Sequence, residues 1–455
     1  MKCKALILQF LLVTFCVYRL VAQDTTRISL LFLGDIMQHE TQINAAYNPK
    51  TGKYDYSNCF RFLRPYFQSA DLTIGNLELT LGGKPYTGYP QFSAPDELVY
   101  ALKDVGVDVL VTANNHSVDR RKKGLERTIR VLDSLGIPHT GTFTDTVERM
   151  NDYPLLLHRN GFRLALLNYT YGTNGIPVTK PNVVNPIDTT LIRKDLKRAR
   201  ELNPDAIIVF MHWGNEYQNQ PTRQQRQLTE FCFKHGAQLV IGAHPHVLQP
   251  MEWNIEQNQL VVYSLGNFVS GQRPRYRDGG AMIQVGLKKI VHADTSITTI
   301  DTANYRLQWV YRTVEAKREF IVLPVSTFEQ DTIGFIKDET SKLAFKTFIN
   351  DSRALLDKYN QNISEATTVP PDTVVSFTVR VAQASTSADV YAILDQLDTF
   401  PFGLTSIQKE NRCTVFYTGK FINKAQAEAY ALRIRSQWPY AEVVEVINDR
   451  LPDQP

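Results

Sequence analysis

The sequence has few cysteines and no cysteine pair at a metal-binding spacing. Five of its 455 residues are Cys, and beyond residue 22 they are Cys59, Cys232 and Cys413. An odd number of cysteines at wide separations defines no disulfide framework and no zinc ribbon or zinc finger. The composition therefore argues against a small disulfide-stapled protein and against a cysteine-based metal site. We expect at least one of these thiols to be buried and inert.

The sequence also has no apolar run long enough to cross a bilayer comfortably. Its longest run, Ala5–Tyr18, follows the basic residues Lys2 and Lys4 and is shorter than the roughly 20 residues that a spanning helix needs. A basic start, a short apolar run and a small residue at Ala22 are typical of an export signal. We expect cleavage after Ala22, with residues 1–22 as the signal; the alternative is a retained N-terminal anchor.

Cleavage there would also remove most of the excess positive charge. The formal net charge of +4 falls to +1, because Lys2, Lys4 and Arg19 leave and no acid leaves with them. A nearly neutral protein gives no electrostatic case for nucleic-acid binding. We therefore expect no nucleic-acid partner and, beyond the signal, no transmembrane segment.

The next 240 or so residues alternate apolar runs with amphipathic stretches, which is typical of an α/β layered domain whose strands are buried on both faces. We place this domain at residues 23–360 and assign the segment after Val285 to it. The predicted strands are Ile28–Leu33, Asp71–Gly75, Val107–Thr112, Arg163–Leu167, Ala206–Met211, Leu239–Ile241 and Leu260–Ser264, followed by Gln308–Val314 and Phe320–Val325. The predicted helices are Pro95–Val105, Lys123–Leu135, Ile192–Glu201, Gln224–His235 and a region near Lys337–Tyr359.

Polar clusters follow nearly every predicted strand at its carboxyl end. In α/β folds, ligands bind where the loops at these ends converge. Carboxylate, amide and imidazole groups together are the ligands that divalent ions take at hydrolytic sites. The candidate metal ligands are Asp35, Glu78, Asn115, His212, His244 and His246. His116, beside one of these ligands, is the candidate general acid.

Each of these residues has an alternative explanation when taken alone, and the set as a whole is the stronger signal. Asp119 could orient an imidazole ring or cap the basic helix that follows it. Trp213 could line a substrate groove or belong to the core. The candidates for substrate contacts are Asn76, Asn114, Trp213, Glu216 and Asn267, and Asp119 is the candidate partner of His116.

The motifs resemble those of the CapA family, which is linked to making, releasing or anchoring poly-γ-glutamate capsule. They are Gly34-Asp35-Ile36-Met37, Gly75-Asn76-Leu77-Glu78, Ala113–Asp119, His212–Tyr217, Gly242–Val247 and Tyr263–Phe268. The resemblance covers roughly residues 28–330. It implies kinship with the calcineurin-like metallophosphoesterases and their four-layer αββα sandwich, and it implies a divalent metal, Mn, Fe or Zn.

Two positions depart from the phosphoesterase pattern. That superfamily usually has a ligating His two residues after the first Asp, where this chain has Met37. It also has a bridging Asp where this chain has Asn76. A neutral amide bridges two cations poorly, so either Glu78 bridges or the site holds one ion. The number of ions, one or two, and phosphoester chemistry itself stay open.

The last part of the chain is a separate α+β module. Residues 361–372 are polar and contain two prolines, which is typical of a linker. Residues 373–448 show the order strand, helix, strand, strand, helix, strand, which is of ferredoxin-like size. The segment Val415–Ala429 and the ending Ala441–Val444 resemble a SPOR domain, which implies peptidoglycan as a partner. The alternative is an α+β domain that merely packs on the main one. Residues 449–455 form a tail.

The sequence thus favours an exported metal-dependent hydrolase, located in the periplasm or at the cell surface. It would act on a cell-envelope polymer, such as capsule or poly-γ-glutamate, or on a phosphorylated precursor. One alternative is a non-catalytic protein that binds and anchors the polymer. The other is a general phosphodiesterase.

Overall fold

The computed structural model of the chain describes residues 24–292, 295–315, 317–330, 334–370, 375–384, 393, 404–410, 413–421 and 424–447. The predicted signal, residues 1–22, lies outside the described residues, and so does the tail, residues 449–455. Residues 24–365 contain two large sheets with helices on their outer faces, and two small sheets of two strands each. The remainder contains a four-stranded sheet.

The strands up to residue 365 are β1 Asp24–Ile36, β2 Tyr47–Asn48, β3 Lys53–Tyr54, β4 Leu72–Leu77, β5 Val109–Val111, β6 His139–Thr140, β7 Thr142–Phe143, β8 Leu155–Arg159, β9 Phe162–Thr170, β10 Val183–Val184, β11 Ala206–His212, β12 Leu239–Ala243, β13 Met251–Asn254, β14 Gln259–Val262, β15 Asn267–Val269, β16 Gly279–His292, β17 Thr295–Arg312, β18 Phe320–Pro324 and β19 Ser364–Glu365. The helices are α1 Glu40–Ala46, α2 Ser57–Phe60, α3 Arg64–Gln68, α4 Glu97–Val105, α5 Arg121–Ser134, α6 Thr146–Asp152, α7 Thr189–Glu201, α8 Arg223–Lys234, α9 Val325–Phe328 and α10 Glu339–Tyr359. All the strands and helices predicted in this region are confirmed, with shifted ends.

The first sheet has nine strands in the order β18-β17-β16-β1-β4-β5-β6, with β15 beside β1 and β19 beside β17. The segment β1-β4-β5-β6 is parallel, and helices α4 and α5 lie in the connections that follow β4 and β5. Strands β16, β17 and β18 extend the other side of β1 in antiparallel fashion. The protein is therefore a mixed, sheet-rich α/β fold.

The second sheet has six strands in the order β13-β14-β12-β11-β9-β8. Its centre, β14-β12-β11-β9, is parallel, and a short antiparallel strand closes each edge. Every residue of β11 and β12 is buried. Continuous burial of this kind requires cover on both faces, as the unbroken apolar runs predicted.

The two sheets face each other across a shared hydrophobic layer. Phe32 and Ile74 of the first sheet belong to the same buried cluster as Ile208 and Ile241 of the second. Residues from α2, α3 and α4 pack on the outer face of the first sheet. Residues from α7 and α8 pack on the outer face of the second sheet. The layers thus run helix, sheet, sheet, helix, and the parallel strands of both sheets bring their carboxyl ends to one rim.

The C-terminal part contains strands β20 Val375–Ala384, β21 Leu404–Glu410, β22 Cys413–Phe421 and β23 Glu442–Ile447, and helix α11 Lys424–Ile434. The four strands form an antiparallel sheet in the order β21-β22-β20-β23. Buried residues of α11, β20 and β22 share one hydrophobic cluster. These strands and the second helix match the predicted order; the first helix of that order, predicted between β20 and β21, lies outside the described residues except for residue 393.

The first half of the segment predicted as a linker, residues 361–372, makes backbone hydrogen bonds to both large sheets. The Gln361 carbonyl accepts a hydrogen bond from the Trp253 N–H at 2.9 Å, and the Ala366 N–H donates to the Tyr305 carbonyl at 2.8 Å. Strand β19 pairs with β17 between them. Within the part of the chain that the structure describes, no helix combines the length and the apolar character needed to cross a membrane.

Candidate metal centre

Asp35 ends β1 at the rim and is completely buried. Its Oδ1 accepts a hydrogen bond from Asn76 Nδ2 at 2.8 Å, and its Oδ2 accepts one from His246 Nδ1 at 3.0 Å. Burial alone raises the pKa of this carboxyl, but the bonds from His246 and Asn76 outweigh burial, and the net pKa lies below its ordinary value. Asp35 is therefore ionised and fixed in place by residues of both sheets.

Glu78, just beyond β4, has no hydrogen bonds among the described residues to offset the burial of its carboxylate. Its side chain is completely buried, and neither carboxylate oxygen has a hydrogen-bond partner there. Burial raises the pKa of Glu78 well above its ordinary value, and the nearby Asp35 charge raises it further. A buried carboxylate without partners costs several kcal/mol unless a proton or a cation neutralises it. The buried Glu78 carboxylate is therefore compatible with a cation at the rim.

Three histidines surround Glu78. His212 Nε2 lies 3.5 Å from Glu78 Oε1, and His246 Nε2 lies 3.8 Å from the same oxygen. His244 is the third, and its Nδ1 has no hydrogen-bond partner among the described residues. Burial, with the neighbouring imidazoles, lowers the pKa of His212 well below its ordinary value and that of His244 to about 3. Both rings are thus neutral near pH 7 and keep a lone pair for coordination.

The backbone at the histidine turn is strained. His244 has φ = 98° and His246 has φ = 58°. Residues other than glycine and asparagine rarely adopt these positive φ values. Such conformations cost about 1–3 kcal/mol each and cluster at functional sites. Pro245 between them fixes the turn that points both imidazoles toward Glu78.

The ligand atoms fit a divalent ion. Two sets of three, Asp35–Glu78–His212 and Glu78–His244–His246, each have their ligand atoms within 4.8 Å of one another. All of these residues are buried, and Glu78 is common to both sets. Mixed oxygen and nitrogen ligands around an unneutralised carboxylate are compatible with Mn, Fe or Zn.

Asn76 and Asn114 hold the ligands in place. The Asn76 amide donates to Asp35 and lies 3.3 Å from His212 Nδ1. Asn114 Nδ2 donates to Asn76 Oδ1 at 3.3 Å and to the Leu77 carbonyl at 2.7 Å. Both amides are buried, at 0% exposure, and are committed to these bonds. The structure therefore places the two predicted substrate contacts behind the ligands.

Asn115 faces the cluster, and its Oδ1 lies 2.8 Å from His212 Nε2. On its other side, Asn115 Nδ2 donates to Asn174 Oδ1 at 3.3 Å, and the Tyr171 hydroxyl donates to the same oxygen at 3.2 Å. The Tyr171 ring packs 4.5 Å from the His244 ring. Sequence reasoning missed Tyr171 and Asn174, which follow β9. The polar end of that strand, Asn168–Tyr171, was the available signal.

His116 lies beside the cluster but outside both ligand sets. Its Nδ1 donates to Asp119 Oδ2 at 2.7 Å, and the Phe92 N–H donates to the same oxygen at 2.7 Å. The Phe92 ring packs edge-on against the imidazole at 4.5 Å. Helix α5 has Arg120 at its N-cap, so Asp119 orients the imidazole of His116 and does not cap the helix.

Two further predicted substrate contacts, Trp213 and Glu216, lie in the segment that follows β11. Trp213 is 1% exposed in the hydrophobic cluster beneath α7 and α8, and its indole N–H donates to the Tyr263 carbonyl at 3.0 Å. This burial agrees with the core interpretation, and a substrate contact by Trp213 stays a prediction. Glu216 is exposed in the following loop.

The remaining predicted position, Asn267 at the start of β15, is buried beside the ligands. Its Oδ1 lies 3.1 Å from His246 Nδ1, and its Nδ2 donates to the Arg277 carbonyl at 2.8 Å. Two oxygens, from Asp35 and Asn267, thus face His246 Nδ1, which fixes the proton there and leaves Nε2 facing Glu78. Met37 is buried in the outer helix layer.

Comparison with known sequences agrees with these motifs. The profile of the family described as "Bacterial capsule synthesis protein PGA_cap" matches residues 29–272, more than half of the chain and all of the ligands above. The chain belongs to this family. Within it, the chain is 31% identical over 289 residues to "PGA biosynthesis protein CapA" of Bacillus subtilis, covering 60% of this chain and 71% of that protein.

A second member of the family is also similar. The chain is 28% identical over 281 residues to "Capsule biosynthesis protein CapA" of Bacillus anthracis, covering 58% of this chain and 65% of that protein. The match thus spans less than two thirds of this relative. CapA kinship, predicted from the motifs, is confirmed.

Among solved structures, the calcineurin-like phosphoesterase YfkN from Bacillus subtilis aligns at 13% identity and a TM-score of 0.39, covering 74% of this chain and 99% of that chain. A 5'-nucleotidase from Candida albicans aligns at 12% identity and a TM-score of 0.38, covering 72% and 58%. Both scores lie below 0.5, so these alignments carry no weight for the reaction.

Proposed function

We propose that the chain is an exported metal-dependent hydrolase of the capsule synthesis family. It would act on a cell-envelope polymer or its phosphorylated precursor, in poly-γ-glutamate or capsule synthesis or release. The observation that carries this proposal is the Glu78 carboxylate, buried among Asp35, His212, His244 and His246 with no hydrogen-bond partner among the described residues. We also propose that the four layers are the sandwich of the calcineurin-like phosphoesterases.

A divalent ion held by Asp35, Glu78, His212, His244 and His246, with Asn115 completing the set, would supply an activated water and stabilise negative charge on the substrate. The chain's own residues arrange the rest. Asn76 keeps Asp35 turned toward the histidines, and Asn267 fixes the His246 tautomer. The two ligand sets share Glu78, which supports Glu78 as the bridging residue in place of Asn76 if two ions bind.

His116 is placed to move a proton. The Asp119 carboxylate holds Nδ1, so the proton that His116 delivers to a leaving group would come from Nε2. The Phe92 N–H and ring fix the dyad from the other side. His116 therefore acts as general acid, and Asp119 is its positioning residue.

The C-terminal sheet and helix would hold the enzyme at the wall. Four antiparallel strands with a packed helix support a SPOR-like module, and we propose peptidoglycan as its partner. Retention on isolated peptidoglycan should be lost when the chain is ended at residue 370. Equal retention of the shortened and full chains would exclude this role.

Metal analysis of the purified full chain tests the main proposal. We expect stoichiometric Mn, Fe or Zn, lost in His244→Ala and kept in His235→Ala, whose imidazole bonds the Phe231 carbonyl away from the rim. A native protein without metal would exclude the hydrolase and leave the polymer-binding alternative. Turnover of bis(p-nitrophenyl) phosphate, compared with cleavage of a γ-linked glutamate oligomer, separates phosphate chemistry from amide chemistry.

A further inference from the structure

Arg277 carries a charge that the described residues do not neutralise. It lies between β15 and β16, half-buried, and its guanidinium carbon lies 3.3 Å from the centre of the Tyr217 ring. Among the described residues, no ion pair or side-chain hydrogen bond involves this guanidinium. Its neighbour Arg275 differs, because it makes two hydrogen bonds of 2.6 Å to Asp351. The contrast within one loop indicates that Arg277 is kept free for another group.

Arg277 is held beside the candidate metal centre by two separate connections. Its carbonyl accepts from Asn267 Nδ2, and Asn267 Oδ1 contacts His246 Nδ1 at 3.1 Å. On the other side, the Tyr217 N–H donates to the Pro245 carbonyl at 2.8 Å, and the Tyr217 ring lies 6.1 Å from the His246 ring. Both connections end at the histidine turn, so the cation keeps a fixed position relative to the ligands.

The way Arg277 is held suits recognition of an anion. Stacking on Tyr217 fixes the guanidinium plane, which leaves the edge N–H groups available for two parallel hydrogen bonds to a carboxylate or a phosphate. Tyr217 adopts φ = 65°, a conformation that costs free energy and that the contact with Pro245 maintains. If Arg277 served only to balance the buried acids, an ion pair with Asp35 or Glu78 would be expected, and neither forms one with it.

We propose that Arg277, stacked on Tyr217, forms an anion-binding subsite next to the metal ligands and takes an acidic group of the substrate. The chemistry recognised is an oxyanion able to accept two N–H bonds, either a carboxylate of a polymer or a phosphate of a precursor. The inference rests on the proposed function in one respect: the substrate must reach the metal centre. An acidic group seated at Arg277 would then hold the substrate beside the histidine turn.

Binding to two probes tests this subsite in the full chain. Isothermal titration would use a γ-linked glutamate oligomer and, separately, p-nitrophenyl phosphate, against wild type, Arg277→Gln and Arg277→Lys. We expect Arg277→Gln to weaken the probe that the subsite takes by at least about tenfold. Arg277→Lys should restore only part of the loss, since lysine cannot present two parallel N–H bonds. The probe that loses affinity identifies the acidic group.

Arg275→Gln is the matched control, because this arginine lies in the same loop and stacks on Tyr276 at 5.0 Å but is paired with Asp351. Its affinity should stay within about twofold of wild type. Tyr217→Leu, which removes the stacking ring, should weaken binding of the same probe. Wild-type affinity in Arg275→Gln, beside weakened binding in Arg277→Gln and Tyr217→Leu, separates a loss of the subsite from a loss of folding.

Unchanged affinity for both probes in Arg277→Gln would overturn the proposal, and so would a wild-type chain that binds neither. Metal content measured on the same samples separates this outcome from failure of the proposed function. A wild type without metal whose oligomer affinity still depends on Arg277 would keep the subsite and remove the hydrolase.

Discussion

The Asn115 side-chain amide donates a hydrogen bond to Asn174 Oδ1 at 3.3 Å. Because Asn115 Nδ2 faces Asn174, its Oδ1 must face the opposite way, toward His212 Nε2 at 2.8 Å. An amide can coordinate a cation only through its oxygen. Asn174 therefore decides whether Asn115 presents a ligand or a donor to the candidate metal centre.

Replacing Asn174 should weaken metal binding without removing a ligand. Asn174 has φ = 50°, so Asn174→Gly tolerates the backbone and deletes only the acceptor. We expect its metal affinity to fall by about 10–100-fold, as is typical for residues that orient ligands. Asn174→Asp keeps an acceptor at the same place and should bind metal nearly as tightly as wild type. Competition with a chromogenic chelator measures both; wild-type affinity in the glycine variant would contradict this role.

Removing His116 should separate proton transfer from metal binding. His116 lies outside both ligand sets, so His116→Ala should keep its metal while turnover of bis(p-nitrophenyl) phosphate falls by about 10²–10⁴-fold. Asp119→Asn should lower turnover less, since the imidazole remains but its orientation loosens. Turnover and metal content are measured on the same preparations.

The control for the His116–Asp119 pair is His139→Ala. His139 also pairs with an aspartate, Asp133, at 3.1 Å, but this aspartate lies at the C-terminal end of α5. The His139→Ala variant should retain both activity and metal. If His116→Ala lost its metal as well, His116 would be a ligand and some other residue would have to deliver the proton.

The metal-free protein should lose stability as the pH rises, and Glu78 should be the cause. Burial raises the pKa of Glu78 well above the 4.5 of the unfolded chain, so the folded state binds this proton more tightly. Stability from Glu78 is then full below about pH 4.5 and declines as the pH rises toward the folded-state pKa. Each pH unit in this window costs at most about 1.4 kcal/mol.

Thermal unfolding in chelator, compared between wild type and Glu78→Gln from about pH 5 to pH 8, measures this decline. His212 and His244 act in the opposite direction, since their lowered pKa values reduce stability as the pH falls below 6.5. They are present in both proteins, so the difference isolates Glu78. Added metal should remove the decline in wild-type stability with rising pH, because the cation then neutralises Glu78 in place of the proton. Parallel curves in chelator would mean that Glu78 is not buried as described.

The strands that carry the ligands could be predicted because their physical signals are local. β11 is an apolar run that ends in His212, and the apolar strands β4 and β12 are followed directly by Glu78 and His244. Parallel strands bring such ends together. Strand β16 was missed. It begins with Gly279 and Gly280, and Gln284, Gly286, Lys288 and Lys289 interrupt its apolar residues, so no continuous apolar run marked it.

The end of β9 was missed for a different reason. The prediction stopped at Leu167 because Asn168 is polar and strands seldom bury asparagine. In the structure, Asn168 Oδ1 accepts the Ala113 N–H at 2.7 Å and its Nδ2 donates to the Phe210 carbonyl at 3.1 Å. These partners come from distant parts of the chain, and they let the strand continue to Thr170. Tyr171 and Asn174 reach the centre only because of that extension.

A close backbone approach at the rim, between Gly34 and Gly266, gives a final test of how the fold positions the ligands. A Cβ on Gly34 would lie 2.1 Å from the Gly266 carbonyl oxygen, where the Asp35 N–H donates to the same oxygen at 3.0 Å. Gly34→Ala must therefore push β1 away from the loop before β15, which separates Asp35 from Asn267, its partner in the register. We expect a loss of about 1–3 kcal/mol in the free energy of unfolding, together with weaker metal binding. Gly172→Ala, whose Cβ would meet nothing within 4 Å, should change stability by no more than about 0.5 kcal/mol. Urea unfolding and chelator competition measure the two effects, and a stable Gly34→Ala protein with full metal affinity would show that the rim can shift without disturbing its ligands.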